Sequence, residues 1–301
     1  MIKVEKLTKR YGATLAVDDV SFEVAKGEVV GFLGPNGAGK TTTMRIIAGS
    51  LGATAGGVLV DGKDVTEHPR ESKRCIGYLP EIPPLYGEMT VRNYIRFAAR
   101  VKGAEEINAA TEAVIAKVGL TTVAHRIIEH LSKGYRQRVG LAQALVHDPA
   151  VLILDEPYSG LDPAQRVEIR ELLESLVNEE RTIVLSTHVL ADIEDLAQKV
   201  VIINEGKIVG QGGIKELLSN MMERRRVRVQ VARPSDEAAK ALAEVGGVIE
   251  IDPDPGGVYN LITTDDCREA IARVAVDHGL LALSGEGRLE DVYLHLTRKG
   301  A

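Results

Sequence analysis

The octapeptide Gly34–Thr41, which reads Gly-Pro-Asn-Gly-Ala-Gly-Lys-Thr, constrains the fold of this chain more than any other stretch. The apolar run Glu28–Leu33 before it predicts a buried strand, and the residues after it predict a helix that continues to about Leu51. A strand, a glycine-rich turn ending in Lys-Thr, and a helix together form a phosphate-binding loop. The pattern therefore predicts an α/β fold around a phosphate site, against the alternative of a glycine-rich turn without a ligand.

The chemistry of such a loop gives each residue type a role. Glycines let successive backbone N–H groups point at one phosphate, and the following helix directs its positive end at the same charge. We expect the Lys40 ammonium to reach the β- and γ-phosphate oxygens and the Thr41 hydroxyl to ligate Mg²⁺. The residues expected to bind the nucleotide here are Gly34, Pro35, Asn36, Gly37, Ala38, Gly39, Lys40, Thr41 and Thr42.

Composition and charge exclude several classes of protein. The 301 residues suffice for two domains, and no apolar run approaches the ~20 residues needed to span a bilayer. The first five residues alternate like a strand, so no signal peptide is expected. A formal net charge of −6 argues against a nucleic-acid partner. Cys75 and Cys267 fit no metal or redox spacing, which favours a reducing cytoplasm.

A second chemical signal is Val151–Glu156, four apolar residues followed by Asp155 and Glu156. Parallel strands are apolar because both faces are buried, and ligands bind at their carboxyl ends. After a phosphate-binding loop, Asp155 is expected to hold Mg²⁺ as the Walker B carboxylate, and Glu156 to polarise the attacking water as general base. The alternative is that the two acids merely cap a strand end.

Four further positions have two interpretations each. Tyr11 before Gly12 could stack on a base or simply pack in a loop. Ser132, in Leu131–Arg138, and Asp162 before Pro163 have the form of helix N-caps, an interpretation that needs no further function. His188 follows the apolar strand Arg181–Ser186, where it could contact a γ-phosphate or a carboxylate.

Helical patterning interrupts the alternating chain after the phosphate-binding loop. Arg74–Leu79 is predicted as a strand, and a helix is predicted to start at Thr90, its N-cap. Further helices are predicted up to Val118 and over Val139–Val146. The predicted helices form an inserted helical subdomain over about residues 82–150.

The character of the chain changes again near Met221. Strand and helix patterns then follow in the order βαββαβ, which is the ferredoxin-like arrangement, with a last helix from Leu289. We therefore predict two domains, residues 1–220 and 221–301. The second contains no catalytic constellation, so a packing or docking module is favoured over a small-ligand sensor.

Taken together, Gly34–Thr41, Leu131–Arg138, Asp155-Glu156 and His188 closely resemble, in order and spacing, the ATP-binding subunit of ABC transporters. The resemblance covers about residues 1–220. It implies a P-loop ABC cassette, with a RecA-like core, an antiparallel β subdomain and a helical subdomain. It also implies a head-to-tail dimer of cassettes, homodimeric or heterodimeric, that encloses two ATP molecules with Mg²⁺ and hydrolyses them.

The resemblance assigns roles to individual residues. It makes Glu156, His188 and Lys40 catalytic and places Mg²⁺ on Thr41, Glu81 and Asp155. Tyr11 matches the aromatic residue that stacks on adenine, and Asp162 matches the loop that links the two sites. The signature segment, which contacts the nucleotide held by the other subunit, comprises Leu131, Ser132, Lys133, Gly134 and Tyr135.

Three positions depart from the family's usual pattern. Glu81 stands where the family usually has Gln, and Leu131–Tyr135 reads Leu-Ser-Lys-Gly-Tyr in place of Leu-Ser-Gly-Gly-Gln. Tyr158 stands where threonine is common. The serine and second glycine of the signature remain, so closure of the dimer is still expected.

The resemblance extends to partners and place of action. Tyr78–Glu81 and the ending Leu289–Leu294 look like the ABC-2 exporter group, with Leu131–Gln143 most like gliding-motility and multidrug-type subunits. An integral-membrane permease is then expected to dock near Glu81–Tyr86, at the cytoplasmic face of the plasma (inner) membrane. The alternatives are an importer ATPase with a substrate-sensing tail, a soluble ABC ATPase, and a nucleotide-binding subunit that does not hydrolyse ATP.

Overall fold

The computed structural model describes residues 1–177, 181–194, 196–214, 216–217 and 225–286. The chain divides into two compact units, Met1–Gly212 and Gly213–Ala301, called here the N-terminal and C-terminal units. The predicted domain boundary at residue 220 and the predicted helix from Leu289 lie outside the described residues.

A six-stranded sheet forms the centre of the N-terminal unit, with strand order β10-β9-β3-β8-β7-β6. The pairs β3–β8, β3–β9, β6–β7 and β7–β8 are parallel. Every residue of β3, β7 and β8 is buried, as expected for strands covered on both faces. The strands are β3 (Val29–Leu33), β6 (Ile76–Leu79), β7 (Val151–Asp155), β8 (Thr182–Thr187), β9 (Lys199–Asn204) and β10 (Lys207–Gly213).

An antiparallel sheet of order β2-β1-β4-β5 packs beside it and shares its apolar core. Buried and exposed residues alternate in β1 and β2, so this sheet has one apolar face and one solvent-exposed face. The strands are β1 (Ile2–Tyr11), β2 (Thr14–Val24), β4 (Ala55–Val60) and β5 (Lys63–Asp64). Together the two sheets and the helical segment confirm the predicted cassette architecture.

Six helices complete the N-terminal unit as described: α1 (Lys40–Ile47), α2 (Pro69–Cys75), α3 (Val91–Lys102), α4 (Ile107–Lys117), α5 (Lys133–Leu145) and α6 (Pro163–Leu176). The predicted N-caps are confirmed, because Thr90, Ser132 and Asp162 each accept a hydrogen bond from a first-turn backbone N–H. Of the helices described here, none combines the length and apolar character that a bilayer crossing demands.

Three predicted element boundaries are wrong. Arg74 and Cys75 belong to α2, which starts at Pro69, so the strand begins only at Ile76. The helix predicted over Val139–Val146 already begins at Lys133, directly after its Ser132 cap. Helix α1 ends at Ile47 and not near Leu51, because Gly49 adopts a left-handed φ of 63°.

The C-terminal unit has the element order βαββαβ, formed by β11 (Arg225–Val231), α7 (Asp236–Ala243), β12 (Val248–Asp254), β13 (Val258–Thr263), α8 (Arg268–Asp277) and β14 (Leu280–Glu286). Its antiparallel sheet has the order β12-β13-β11-β14, with the first and third strands at the centre, as in ferredoxin-like folds. Val227, Val229 and Val231 alternate inward and pack with Leu242 and Ile271 of the helices.

Candidate functional site

The parallel sheet brings the distant sequence signals to one edge. Leu33, the last residue of β3, pairs with Thr187 of β8, and Asp155 of β7 pairs with Ser186. The carboxyl ends of β3 and β7, the two neighbours of β8 in the sheet, therefore flank the carboxyl end of β8. The phosphate-binding loop, the two acids and His188 are neighbours for this reason, although more than a hundred residues separate the loop from the acids.

The phosphate-binding loop owes its shape to two glycines. Gly37 has a φ of 82°, and Gly39, the N-cap of α1, has a φ of 106°. A Cβ on Gly39 would also lie 2.6 Å from the Ala16 carbonyl oxygen, so no other residue fits this position. Since Gly39 offers no side-chain cap, the first-turn amides of α1 are left for an anionic ligand.

Lys40 is held inside this loop by its own backbone. The Nζ atom donates to the Gly34 carbonyl oxygen at 2.7 Å and to the Pro35 carbonyl oxygen at 3.2 Å. It also forms an ion pair with Glu156 Oε1 at 3.3 Å, and the two side chains are only 6% and 9% exposed. The ammonium therefore faces the cavity with an internal anion as its partner.

Glu156 joins Lys40 to His188. The His188 Nδ1 atom lies 3.0 Å from Glu156 Oε1 and 2.9 Å from Oε2, while the imidazole itself remains half-exposed. The Glu156 backbone has a φ of 48°, a left-handed conformation that costs a non-glycine residue free energy. Its N–H is fixed by the carbonyl and hydroxyl oxygens of Ser186 at 3.1 and 3.0 Å. The fold thus holds this carboxylate in one strained position.

Asp155 is fully buried beside it. Ser186 Oγ donates to Asp155 Oδ1 at 2.6 Å, whereas Oδ2 has no hydrogen-bond partner among the described residues. Burial raises the pKa of Asp155, the hydroxyls of Ser186 and Thr41 oppose that rise, and the charges of Glu156 and Glu81 add to it. A buried carboxylate oxygen without a partner, next to a hydroxyl, fits a hard cation such as Mg²⁺. The donor set of Asp155 and Thr41 therefore suits the expected metal.

These groups surround a cavity of about 510 Å³. Most of the residues expected to bind phosphate, metal or water line it, but Gly34, Pro35, Ala38 and Asp155 do not. Ala16 and Ser159 line it too, although the sequence did not single them out. The lining residues are Ala16, Asn36, Gly37, Gly39, Lys40, Thr41, Thr42, Glu81, Glu156, Ser159 and His188.

Glu81 is turned toward this cavity by a neighbour. Ser159 Oγ donates to Glu81 Oε1 at 3.2 Å, which links the end of β6 to the turn after β7. Glu81 adds a second carboxylate, besides Glu156, to the lining of the cavity. Two carboxylates in the lining repel a free anion but favour an anion that arrives with a divalent cation.

The other expected site residues do not line this cavity. Tyr11 ends β1 with its ring 46% exposed, and the Lys9 ammonium lies 5.3 Å from its ring centroid. Ser132 caps α5 by accepting from the Tyr135 N–H at 3.4 Å. A Cβ on Gly134 would meet the Gln165 side chain at 2.5 Å, so this glycine packs against α6.

The remaining signature and linking residues have local contacts as well. Leu131 is buried, whereas Tyr135 is exposed. Lys133 folds over Gly160, which has a φ of 66°. Asp162 Oδ1 accepts from the Gln165 N–H at 2.9 Å. The sequence prediction missed Ser186, although its place directly before Thr187-His188 at a strand end was a usable signal.

This arrangement can bind a polyphosphate and direct a water at it. The loop amides and Lys40 supply positive charge, and Asp155 and Thr41 supply metal ligands. Glu156 and His188 supply a base and a hydrogen-bonding partner beside the same space. These are the parts that phosphoryl transfer to water requires.

Comparison with known proteins agrees with this chemistry. A family model described as "ABC transporter" matches residues 17–159. The chain is 33% identical over 306 residues to the bacitracin transport ATP-binding protein BcrA of Bacillus licheniformis, covering 100% of this chain and 98% of the relative. It is 34% identical over 298 residues to the Nod factor export ATP-binding protein I of Burkholderia thailandensis, covering 98% and 96%.

Solved structures show the same fold. An ATP-binding subunit of an ABC transporter superposes with a TM-score of 0.67 at 31% identity, covering 73% of this chain and 93% of that one. A dimeric ATP-binding cassette in a post-hydrolysis state, bound to ADP and Pi, superposes with a TM-score of 0.65 at 26% identity, covering 71% and 98%. The chain therefore belongs to the ATP-binding proteins of ABC transporters and is an ATPase.

Proposed function

We propose that this protein is the ATP-hydrolysing subunit of an export-type ABC transporter of the ABC-2 group. In this proposal it lies at the cytoplasmic face of the plasma (inner) membrane and drives a separate integral-membrane permease. Similarity along almost the whole chain to a protein named for Nod factor export supports the export direction. The similarity to BcrA, also along the whole chain, supports a transport role that includes the C-terminal unit.

The observation that carries the proposal is the cluster of Lys40, Glu156 and His188 in the lining of the phosphate cavity. When ATP binds, its phosphate oxygens compete with Glu156 for the Lys40 ammonium. Glu156 is then free to accept a proton from a water that attacks the γ-phosphorus, and His188 holds the carboxylate in place. Lys40 stabilises the charge that develops on the phosphoryl oxygens.

Metal binding is the next part of the proposal. We assign Mg²⁺ to the Thr41 hydroxyl and Asp155, with Glu81 contributing from the end of β6. The free Oδ2 atom of Asp155 supports this assignment. Mg²⁺ held by these residues would neutralise charge on the phosphate groups. Ser186 holds the ligand carboxylate through its other oxygen, and Ser159 does the same for Glu81.

We infer further that two cassettes work as a dimer. Tyr11 stacks on adenine, and Ser132 and Gly134 contact the nucleotide of the partner subunit, with Asp162 at the link between the two sites. The absence of these residues from the lining of the described cavity is consistent with a role across an interface. The likeness to a solved dimeric cassette supports the same arrangement. ATP would close this dimer and hydrolysis would reopen it.

The permease is proposed to dock at an aromatic cluster beside Glu81. The Tyr86 ring lies 5.9 Å from the Tyr94 ring and 5.7 Å from the Phe97 ring. Tyr86 is 50% exposed, Phe97 43% and Ile82 82%, a concentration of exposed apolar surface that marks interaction sites. Motion of Glu81 on metal binding would be transmitted directly to this surface. The tail, residues 221–301, is proposed to be a separate packing or docking domain.

Co-purification from membranes tests the transport role. The Glu156→Gln variant, loaded with ATP and Mg²⁺, should retain the closed dimer and its permease because the general base is missing. Recovery of an integral-membrane subunit with negligible ATP turnover would support both the class and the base. Recovery of ribosomes or of no membrane protein would refute the transporter role, and turnover close to wild type would refute Glu156 as the base.

The docking surface is tested in the same preparation. Tyr86→Asp should lower the yield of the membrane subunit, because a charge in an apolar interface is costly to bury. ATP turnover of the isolated protein reports on its folding. Unchanged recovery of the membrane subunit would place the docking surface elsewhere.

A further inference from the structure

A second cavity, of about 610 Å³, lies in the N-terminal unit away from the nucleotide site. It opens between α2, the start of β6, the C-terminal end of α3 and α5. Tyr78, Val101 and Gln143 form part of its wall. None of its lining residues belongs to the phosphate-binding loop, the acids or His188.

Its distinguishing property is charge. Four basic side chains, Arg70, Lys73, Arg74 and Lys102, line it, and among the described residues of the lining none is acidic. In the part of the chain that the structure describes, these four have no hydrogen bond and no ion pair from their side chains. Lys102 is partly buried, whereas Arg70, Lys73 and Arg74 are exposed. The four like charges repel one another around the cavity, and solvent screens the three exposed ones.

The nearby acid offsets the charge of the cavity only weakly, since the charge of Arg74 is the smallest of the influences that lower its pKa. Glu71, on the same helix as Arg70 and Arg74, forms its ion pair with Lys63 at 2.8 Å. It therefore turns toward β5 and does not line the cavity. His147 packs close to Lys102 and is kept neutral by burial, with the Lys102 charge adding to that effect on its pKa.

Lys102 carries the clearest sign of a missing partner. Burial alone lowers the pKa of its ammonium to about 8. A lysine is usually desolvated in this way only where an anion or a catalytic role compensates, because burying an unpaired charge is costly. Since no described residue of the lining carries a carboxylate, an anionic ligand is the natural counterion.

Helix dipoles do not account for the four charges. The C-terminal ends of α1 and α3 reach the cavity through Ala48 and Gly103, and each carries about half a negative charge. Together they offset about one of the four cations. Arg70 stands in the first turn of α2, where the helix end is itself positive. About three positive charges therefore remain uncompensated.

We propose that this cavity is a second anion site, which binds a phosphate group separately from ATP. Arginine and lysine side chains that line one cleft are suited to phosphate oxygens, because each contact is a charge-assisted hydrogen bond. The Tyr78 ring and Val101 give one wall an apolar character, which suits a phosphate ester. The phosphate comes either from a soluble phosphate compound or from an anionic lipid headgroup.

Binding of sodium tripolyphosphate to the full-length protein tests the soluble source. Calorimetry is done with the nucleotide cavity saturated by ADP and without added divalent cations. Lys102→Met and Arg74→Ala should each weaken binding about tenfold, and Lys102→Arg should restore most of it. Arg100→Ala, an exposed cation on α3 outside the cavity, is the matched control and should leave affinity unchanged.

Sedimentation with phosphatidylglycerol vesicles, compared with phosphatidylcholine vesicles, tests the lipid source with the same variants. Where Lys102→Met impairs folding, the Lys102 side-chain amine signal of the wild-type protein gives a second readout by NMR, and its pKa should rise on binding. Dependence on Lys102 and Arg74 in either arm supports the site and identifies the source. The proposal would be overturned by an equal loss of binding in Arg100→Ala or by no binding in either the calorimetry or the vesicle experiment. Binding of a glutamate-rich peptide in the same calorimetry, without binding of tripolyphosphate or vesicles, would also overturn it.

Discussion

Replacing Glu156 by Gln should destabilise the nucleotide-free protein and yet increase the stabilisation that ATP provides. In the free protein Glu156 is the buried partner of Lys40, at 3.3 Å, and of His188. The substitution preserves shape, removes the negative charge and replaces one carboxylate oxygen by an NH2 group, which cannot accept from Lys40. Lys40 then remains buried without an anion until a triphosphate supplies one.

The magnitude follows from the other contacts of Lys40. Breaking a buried ion pair by removing one partner costs roughly 3–5 kcal/mol for a fully buried charge. Lys40 Nζ keeps the carbonyl oxygens of Gly34 and Pro35, at 2.7 and 3.2 Å, so we expect a smaller loss. A loss of about 2 kcal/mol corresponds to a fall in Tm of about 4–8 °C for a unit of this size.

Thermal unfolding followed by circular dichroism, with and without ATP and Mg²⁺, measures both effects. ATP should raise the Tm of Glu156→Gln more than that of wild type, because its phosphates no longer have to displace a carboxylate from Lys40. Turnover should fall by about 10²–10⁴-fold, the usual contribution of a general base. Glu194→Gln, an exposed acid in the loop after β8, is the matched control. An unchanged Tm without nucleotide, together with an ATP shift equal to that of wild type, would refute the reasoning.

Three further predictions concern other groups of the N-terminal unit. Ser186→Ala removes hydrogen bonds to Asp155 Oδ1 and the Glu156 N–H, so urea unfolding should show a loss of about 1–3 kcal/mol, and an unchanged midpoint would contradict it. Burial lowers the pKa of His147 in the folded protein to about 4. As the pH falls, the unfolded chain is therefore protonated at His147 before the folded protein is, and stability should decrease from pH 6.5 to 4. Allowing for partial solvent screening, His147→Asn should remove about 1–2 kcal/mol of that acid loss, and an unaltered slope would disprove this account. Ser132→Ala removes the cap of α5 and should cost about 1 kcal/mol in thermal unfolding, whereas retention of full stability would show that the cap contributes nothing.

The accuracy of the sequence prediction depended on how local each signal was. The phosphate-binding loop and the caps at Ser132 and Asp162 were predicted because they depend on a few consecutive residues. The start of α2 was missed because Arg74 and Cys75 were grouped with the apolar residues that follow them, while the helix is set by Pro69, several residues earlier. Local propensity marks the presence of an element better than its ends.

Long-range pairing was beyond the sequence prediction. No local pattern shows that Ser186 lies opposite Asp155, because that depends on which strand inserts between β3 and β7. The same pairing forces the left-handed backbone of Glu156 and fixes its N–H. Ser159 reaches Glu81 only because β6 lies next to β7.

The sequence by itself determined the chemistry of this protein: a phosphate loop, two acids at a strand end and a histidine at another, since these residue types and spacings are dictated by the reaction. Only the tertiary structure decided how they meet. It pairs Lys40 with Glu156 beside the phosphate-binding loop, leaves one oxygen of Asp155 without a partner among the described residues, and gathers four cations from α2 and α3 around a second cavity. The physical reason is that electrostatic partners and burial depend on distances in space, which the spacing of residues along a chain does not encode.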